Sequence, residues 1–143
     1  MGHQSLADSM ACLTEIAPAA LSGAVNGAGV DTNGWDGVLF LIYVGAMTAT
    51  ATLDAKVQTH EDASFGTGTV DVSGAALTQI LAATGGGKVY AIDVWRPGEQ
   101  FVRIVVTQAT AAVLASATAT RYRRTGRIPA TQTLTELVKV LAN

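Results

Sequence analysis

GVDTNGWDGVLFLIYVGAMTATATLDAKVQ, from Gly29 to Gln58, passes from a turn-rich opening through a wholly apolar run to a long strict alternation. Neighbouring side chains of a strand point to opposite faces, so Val38–Val44 (VLFLIYV) reads as a strand covered on both sides. Thr50–Gln58 reads differently: Ala51, Leu53, Ala55 and Val57 share one face, while Thr50, Thr52, Asp54, Lys56 and Gln58 share the other. That is the pattern of a half-buried antiparallel strand. The two runs predict a sandwich core with no reactive constellation in it.

Working outward, the 143 residues have the length of one domain, able to bury roughly 70% of the unfolded surface without a disulfide or metal staple. Half the residues are hydrophobic, but Ala and Gly supply much of that and aromatics only 6%, which predicts a core of β-branched and small side chains. Charged residues are 14% of the chain, against roughly 25% in ordinary soluble domains, so the surface is poorly protected against association. The net charge of -2 gives no general basic face for nucleic acid. The sign is uneven all the same: residues 1–90 carry two Lys against eight acids, and residues 91–143 seven Lys or Arg against three acids. Cys12, the single cysteine, rules out an intramolecular disulfide and reads as an inert thiol. Met1–Leu13 lacks the basic and apolar regions of a secretory signal, and the longest apolar run is far too short to span a membrane. Synthesis in the cytosol is the expectation.

Residues 1–29 are rich in Ala, Gly and Ser and broken by Pro18. They read as an N-terminal arm, with a short helix over Ser5–Ile16, that orders on a partner. The sandwich domain spans 30–125. Asp31-Thr32-Asn33-Gly34 is a turn signal, because Asx side chains bond their own backbone and Gly tolerates positive φ. Strands follow at 38–44 and 50–59, then a polar loop over His60–Thr69 with Phe65 as its anchor. Residues 70–81 alternate at Val70 and Val72, and the part from Ala75 to Ala83 fits a helical turn or an irregular edge strand. Ala83–Gly87 is a turn or flexible loop. Val89–Trp95 and Phe101–Thr107, joined by Arg96-Pro97-Gly98-Glu99, form a hairpin or sheet corner with Pro97 and Gly98 at the centre of a type II turn. Val102, Ile104 and Val106 face inward. After a turn at 108–112, the last strand is Val113–Tyr122. The sum is an all-β antiparallel sandwich, jelly-roll-like rather than a closed barrel. Residues 126–143 form a C-terminal arm in which Leu134–Leu141 is a short amphipathic helix or an added strand.

The candidate sites do not assemble into chemistry. AATGGGKV (82–89) has Ala82 where a phosphate loop needs its first Gly and Val89 where it needs a hydroxyl. Asp31–Gly37 opens like a calcium loop, but Ile42 stands where the closing bidentate Glu belongs. His60-Glu61-Asp62 are consecutive, so their side chains diverge, and no G-x-S-x-G serine site is present. The expectation is no enzyme, cofactor or metal. Arg121, Arg123, Arg124 and Arg127 (RYRRTGR) form the basic cluster, read either as a solvated strand end or as a contact for an acidic protein surface. Tyr122 alone is thin support for a single-stranded nucleic acid. Trp35, Tyr90 and Trp95 suggest a sugar-binding platform, but Tyr90 and Trp95 lie on opposite faces of one strand.

V-D-T-x-G-W-D-G-V-L-F at 30–40, T-L-D-A-K-V-Q at 52–58, V-x-V-S-G-A-A-L-T-Q-I at 70–80 and R-x-V-V-T at 103–107 resemble the head decoration, or cement, proteins of tailed bacteriophages, over about residues 29–124. The resemblance implies a structural protein on the capsid exterior. It would dock across junctions between major capsid protein subunits and reinforce the expanded shell, without binding nucleic acid or membrane. It also implies self-association as a dimer on a two-fold axis, or a trimer on a three-fold. Contacts are expected from Leu13, Ile16 and Leu21 in the N-terminal arm, from Arg121, Arg123, Arg124 and Arg127, and from Leu134, Leu137, Val138 and Leu141. The alternatives are a carbohydrate- or receptor-binding module and another head or tail structural role.

Overall fold

A computed structural model describes residues 9–123 and 136–141. Along the chain come β1 (Met10–Leu21), β2 (Ala24–Asn26), β3 (Val30–Asp31), β4 (Gly37–Met47), β5 (Thr52–His60), β6 (Val70–Ala76), β7 (Ile80–Leu81), the single turn α1 (Ala82–Gly85), β8 (Lys88–Trp95), β9 (Phe101–Ala109), β10 (Val113–Tyr122) and β11 (Glu136–Leu141). They build two packed sheets. Sheet 1 runs β1-β10-β4-β8-β11, and sheet 2 runs β2-β9-β5-β6, with β3 beside β9 and β7 beside β5. All pairings are antiparallel except that of β11 with β8. The protein is all-β and sandwich-like, as the alternating runs predict.

The core is small and β-branched. Val38, Phe40, Ile42 and Val44 of β4 face Leu53, Ala55 and Val57 of β5 and Val102, Ile104 and Val106 of β9, all buried. Ala115, Ala117 and Ala119 of β10 are buried as well, and their lack of bulk lets the two inner faces interdigitate closely. The inward sets expected for β5 and β9 are therefore correct.

Val38–Val44 requires a correction. Leu39 and Leu41 are only half-buried and Tyr43 is 40% exposed, so the run is covered on one face. A strand of an outer layer needs one apolar face, and the second here is surplus to the core.

The N-terminal stretch requires another. From Met10 the expected helix is a strand, paired with β10 from Met10↔Tyr122 to Leu21↔Val113. Pairing with a long neighbour outweighs the weak helical preference of a loosely patterned segment. Residues 10–26, read as an arm, thus supply strands to both sheets. At the other end, the added-strand reading of Leu134–Leu141 is correct from Glu136 onward. β11 lies parallel to β8, and the Glu136 carboxylate accepts the Thr78 N–H and hydroxyl, both at 3.1 Å.

The turns follow their residues. The Asn33 N–H donates to the Asp31 carboxylate at 2.9 Å and Gly34 takes φ 78°, as the Asx signal predicts. Phe65 is buried as the loop anchor. The segment after β6 resolves into β7 and α1. β8 and β9 lie in different sheets, so their connection is a corner, and its left-handed residue is Arg96, φ 49°, not the Gly98 of a type II turn.

Two exposed threonines, Thr50 (φ 69°) and Thr110 (φ 72°), also adopt left-handed backbone. A β-branched residue is strained there. Thr50→Asn and Thr110→Asn should each stabilise the protein by about 0.5–1 kcal/mol, readable as a higher midpoint of chemical denaturation with an unchanged slope.

Candidate interaction site

The outer face of sheet 2 carries a polar lattice. On sheet 2, Lys56 pairs with Asp71 at 2.7 Å, Gln58 donates to Asp71 at 2.9 Å, Arg103 donates to Gln58 at 2.8 and 3.0 Å, and Gln79 donates to Asp54 at 3.0 Å. This lattice satisfies its own polar groups, and Leu81, 49% exposed, stands at its edge beside Thr52. Sheet 1 presents Tyr43 from β4 and Leu114 from β10, 40% and 49% exposed. Beside them Pro18 of β1 completes a shallow, largely apolar cavity of about 360 Å³. Gly45 makes the corner: a Cβ there would stand 3.2 Å from the Leu114 Cβ.

A second cluster sits where Gly37, Trp95 and Tyr122 lie side by side across three strands. Arg121 donates through Nη1 to the Asp31 carbonyl at 2.9 Å, and Arg123 through Nε to the Gly34 carbonyl at 2.9 Å. Both guanidinium groups lie over the Trp35 ring, at 5.0 and 5.3 Å. These two arginines of the basic cluster clamp the Asp31–Gly37 turn. Next to them Trp95 stacks on Tyr122 at 6.3 Å, and the Tyr122 hydroxyl donates to Asp93 at 2.6 Å. Burial raises the Asp93 carboxyl above its ordinary range, opposed by that hydrogen bond and by Lys139. An open cavity of about 430 Å³ separates Trp35 from Arg96.

The His60 loop is closed on itself. The Asp62 N–H donates to His60 Nδ1 at 2.9 Å, and Nε2 lies 3.1 Å from the Thr67 carbonyl. That carbonyl is the largest cause holding the imidazole above its ordinary pKa. Both ring nitrogens have backbone partners, so His60 is occupied in shaping the loop.

The remaining contact residues separate. Ile16 and Leu21 are core, 6% and 5% exposed; inward-facing positions of β1 cannot serve a partner, which corrects that expectation. Leu13 is 36% exposed and Leu141 77%. Leu137 and Val138 are half-buried, Val138 against the core. Arg124, Arg127 and Leu134 lie outside the described residues. The three aromatics do not form one platform, because Tyr90 is buried and donates to the Gly85 carbonyl at 3.3 Å.

Sequence reading missed Tyr43 and Leu114. Their signals are present: Tyr43 falls on the outward phase of β4, and Leu114 is the one large aliphatic residue after Val113 in a strand of small ones. It also missed Glu15, which is 8% exposed and has a buried Oε2 with no hydrogen-bond partner among the described residues. Burial pushes its pKa up to about 7. Among the described residues no three His, Cys, Asp or Glu side chains converge as a metal site. Comparison with known protein families and with curated proteins finds no match for the chain.

Proposed function

We propose that the protein is a structural virion component of the decoration, or cement, kind. It binds the outer surface of a bacteriophage capsid at the major capsid protein and stabilises contacts between subunits. The observation that carries this reading is the grouping of Pro18, Tyr43 and Leu114 around a shallow apolar cavity at one corner of sheet 1. A small domain does not ordinarily leave such side chains grouped in water unless a partner covers them. The strand order supports reading the sandwich as jelly-roll-like, since β1-β10-β4-β8 faces β2-β9-β5-β6 as two interleaved Greek keys do, an architecture common in capsid proteins. The sugar-platform alternative has less support, because the Trp35 ring is already covered by Arg121 and Arg123.

The test is to mix the purified chain with expanded shells that lack it, and to measure occupancy and the temperature at which the shell opens. Saturable binding at symmetric positions with a higher opening temperature is expected. Leu114→Asp, at an exposed position, should weaken occupancy at least about tenfold while leaving the unfolding of the free protein nearly unchanged. Absence of binding overturns the reading.

A further inference from the structure

Among the described residues β1 is the outermost strand of sheet 1, and its two halves present different edges. From Glu15 onward the edge is obstructed. Its register with β10 shifts between Thr14 and Ile16 and again between Ile16 and Ala19. Pro18 has no N–H, and Glu15 turns its carboxylate inward, so close to Gly27 that a Cβ there would stand 2.6 Å from Oε2. Bulges, proline and inward charges are the devices by which sheets keep further strands from adding. Met10–Thr14 has none of them: it is uncharged and pairs without interruption with Tyr122–Thr118.

The hydrogen-bond phase of this half can be assigned. Arg123 donates its N–H to the Ser9 carbonyl at 3.2 Å, which continues the register Met10↔Tyr122, Ala11↔Arg121 by one residue. Opposite residues of an antiparallel pair alternate between bonded and non-bonded. Ser9, Ala11 and Leu13 therefore turn their backbone groups toward β10, and Met10, Cys12 and Thr14 turn theirs toward the open edge.

We propose that two copies of the chain pair antiparallel through Met10–Thr14 about a two-fold axis at Cys12. Each Cys12 exchanges its N–H and C=O with the other, and each Met10 with the other copy's Thr14, giving about six backbone hydrogen bonds. A second copy is the occupant that fits. Met10, Cys12 and Thr14 are the outward-turned residues described ahead of Glu15, so a two-fold at Cys12 sets unobstructed edge against unobstructed edge and ends the pairing where the obstructed half of each copy begins. No charge stands opposite its own image. The pairing does not depend on what the protein docks on, so it can fail while the capsid reading stands, and the reverse.

Sedimentation of the full chain in reducing buffer over a concentration series should show its mass moving from one chain to two. Cys12→Pro deletes the outward N–H at the axis and no backbone bond to β10, and Cys12→Ala serves as its control because both lose the contact of the Cys12 thiol with the Thr120 hydroxyl at 3.4 Å. Relative to Cys12→Ala, Cys12→Pro should raise the dimer dissociation constant at least about tenfold and leave the unfolding midpoint of the dilute protein in place. Leu13→Pro, which deletes an inward N–H, should lower that midpoint. A short bismaleimide should link the exposed Cys12 thiols of the wild-type dimer, whose Cα atoms would lie about 5.5 Å apart. The proposal is overturned if the chain stays monomeric, or if a dimer forms that neither Cys12→Pro nor cross-linking touches. It is equally overturned if Cys12→Pro destabilises the monomer as Leu13→Pro does.

Discussion

At pH 8 the Glu15→Gln variant should be more stable than the wild type by about 3 kcal/mol, and at pH 5 by less than about 1 kcal/mol. Burial alone pushes the Glu15 carboxyl from its ordinary 4.5 up to about 7 in the folded protein. The sign follows from proton binding. Below pH 4.5 both folded and unfolded chains hold the proton and the group costs nothing through ionisation. Between 4.5 and 7 the unfolded chain releases it while the folded chain retains it, so stability falls as pH rises. Above 7 the folded protein carries an unpaired buried charge and the full penalty is present. Each pH unit of difference corresponds to about 1.4 kcal/mol. Glutamine keeps the shape and the polarity but cannot ionise, so its curve lacks this slope. Subtracting the two curves removes the titration of His60 and Asp93, which is common to both. Denaturant unfolding at pH 5, 6, 7 and 8 measures it, and a difference that does not change with pH would show that Glu15 does not titrate between these limits.

A group that costs this much at neutral pH calls for a reason, and its position supplies one. Glu15 occupies the first register shift of an edge strand, where an inward carboxylate and a bulge together disturb the pairing that a further strand would need. Stability is lowered in exchange for an edge that stays unpaired beyond Thr14.

The parts legible in the sequence are those in which neighbours in the chain are also neighbours in the physics. The alternation of Thr50–Gln58, the Asx turn at Asp31 and the Phe65 anchor each rest on local pattern, and each has its predicted place. What the sequence did not disclose depends on which strand lies beside which. The run Val38–Val44 is apolar at every position, so its period cannot say that one face lacks a cover. Tyr43 and Leu114 become a patch only because β10 pairs with β4. Met10–Leu21 lacked the strict alternation of a strand because two register shifts break its phase, and the same shifts turn Glu15 inward. The arginines were legible as a cluster but not as a clamp, since Trp35 is far from them in sequence.

Gly37→Ala, a change of one methyl group, should destabilise the protein by about 2–4 kcal/mol. A Cβ at position 37 would stand 2.5 Å from the Tyr122 Oη, 2.6 Å from its Cζ and 3.0 Å from the Val94 carbonyl oxygen. The carbonyl belongs to the β4–β8 pairing and cannot retreat without pulling β8. The tyrosine could swing away, but it is tethered on both sides, stacked on Trp95 and hydrogen-bonded at 2.6 Å to Asp93. Releasing it strips a partly buried carboxylate, already displaced upward by burial, of a donor. The close approach therefore couples the turn, the aromatic stack and the carboxylate at one end of sheet 1, and the coupling can be measured. In a double-mutant cycle with Tyr122→Ala, which removes the nearest obstacle, the cost of Gly37→Ala should fall by more than about 1 kcal/mol, leaving mainly the Val94 contact. Strict additivity would mean that the tyrosine does not hold its place against the new methyl group, and that the end of the sandwich is looser than its hydrogen bonds imply.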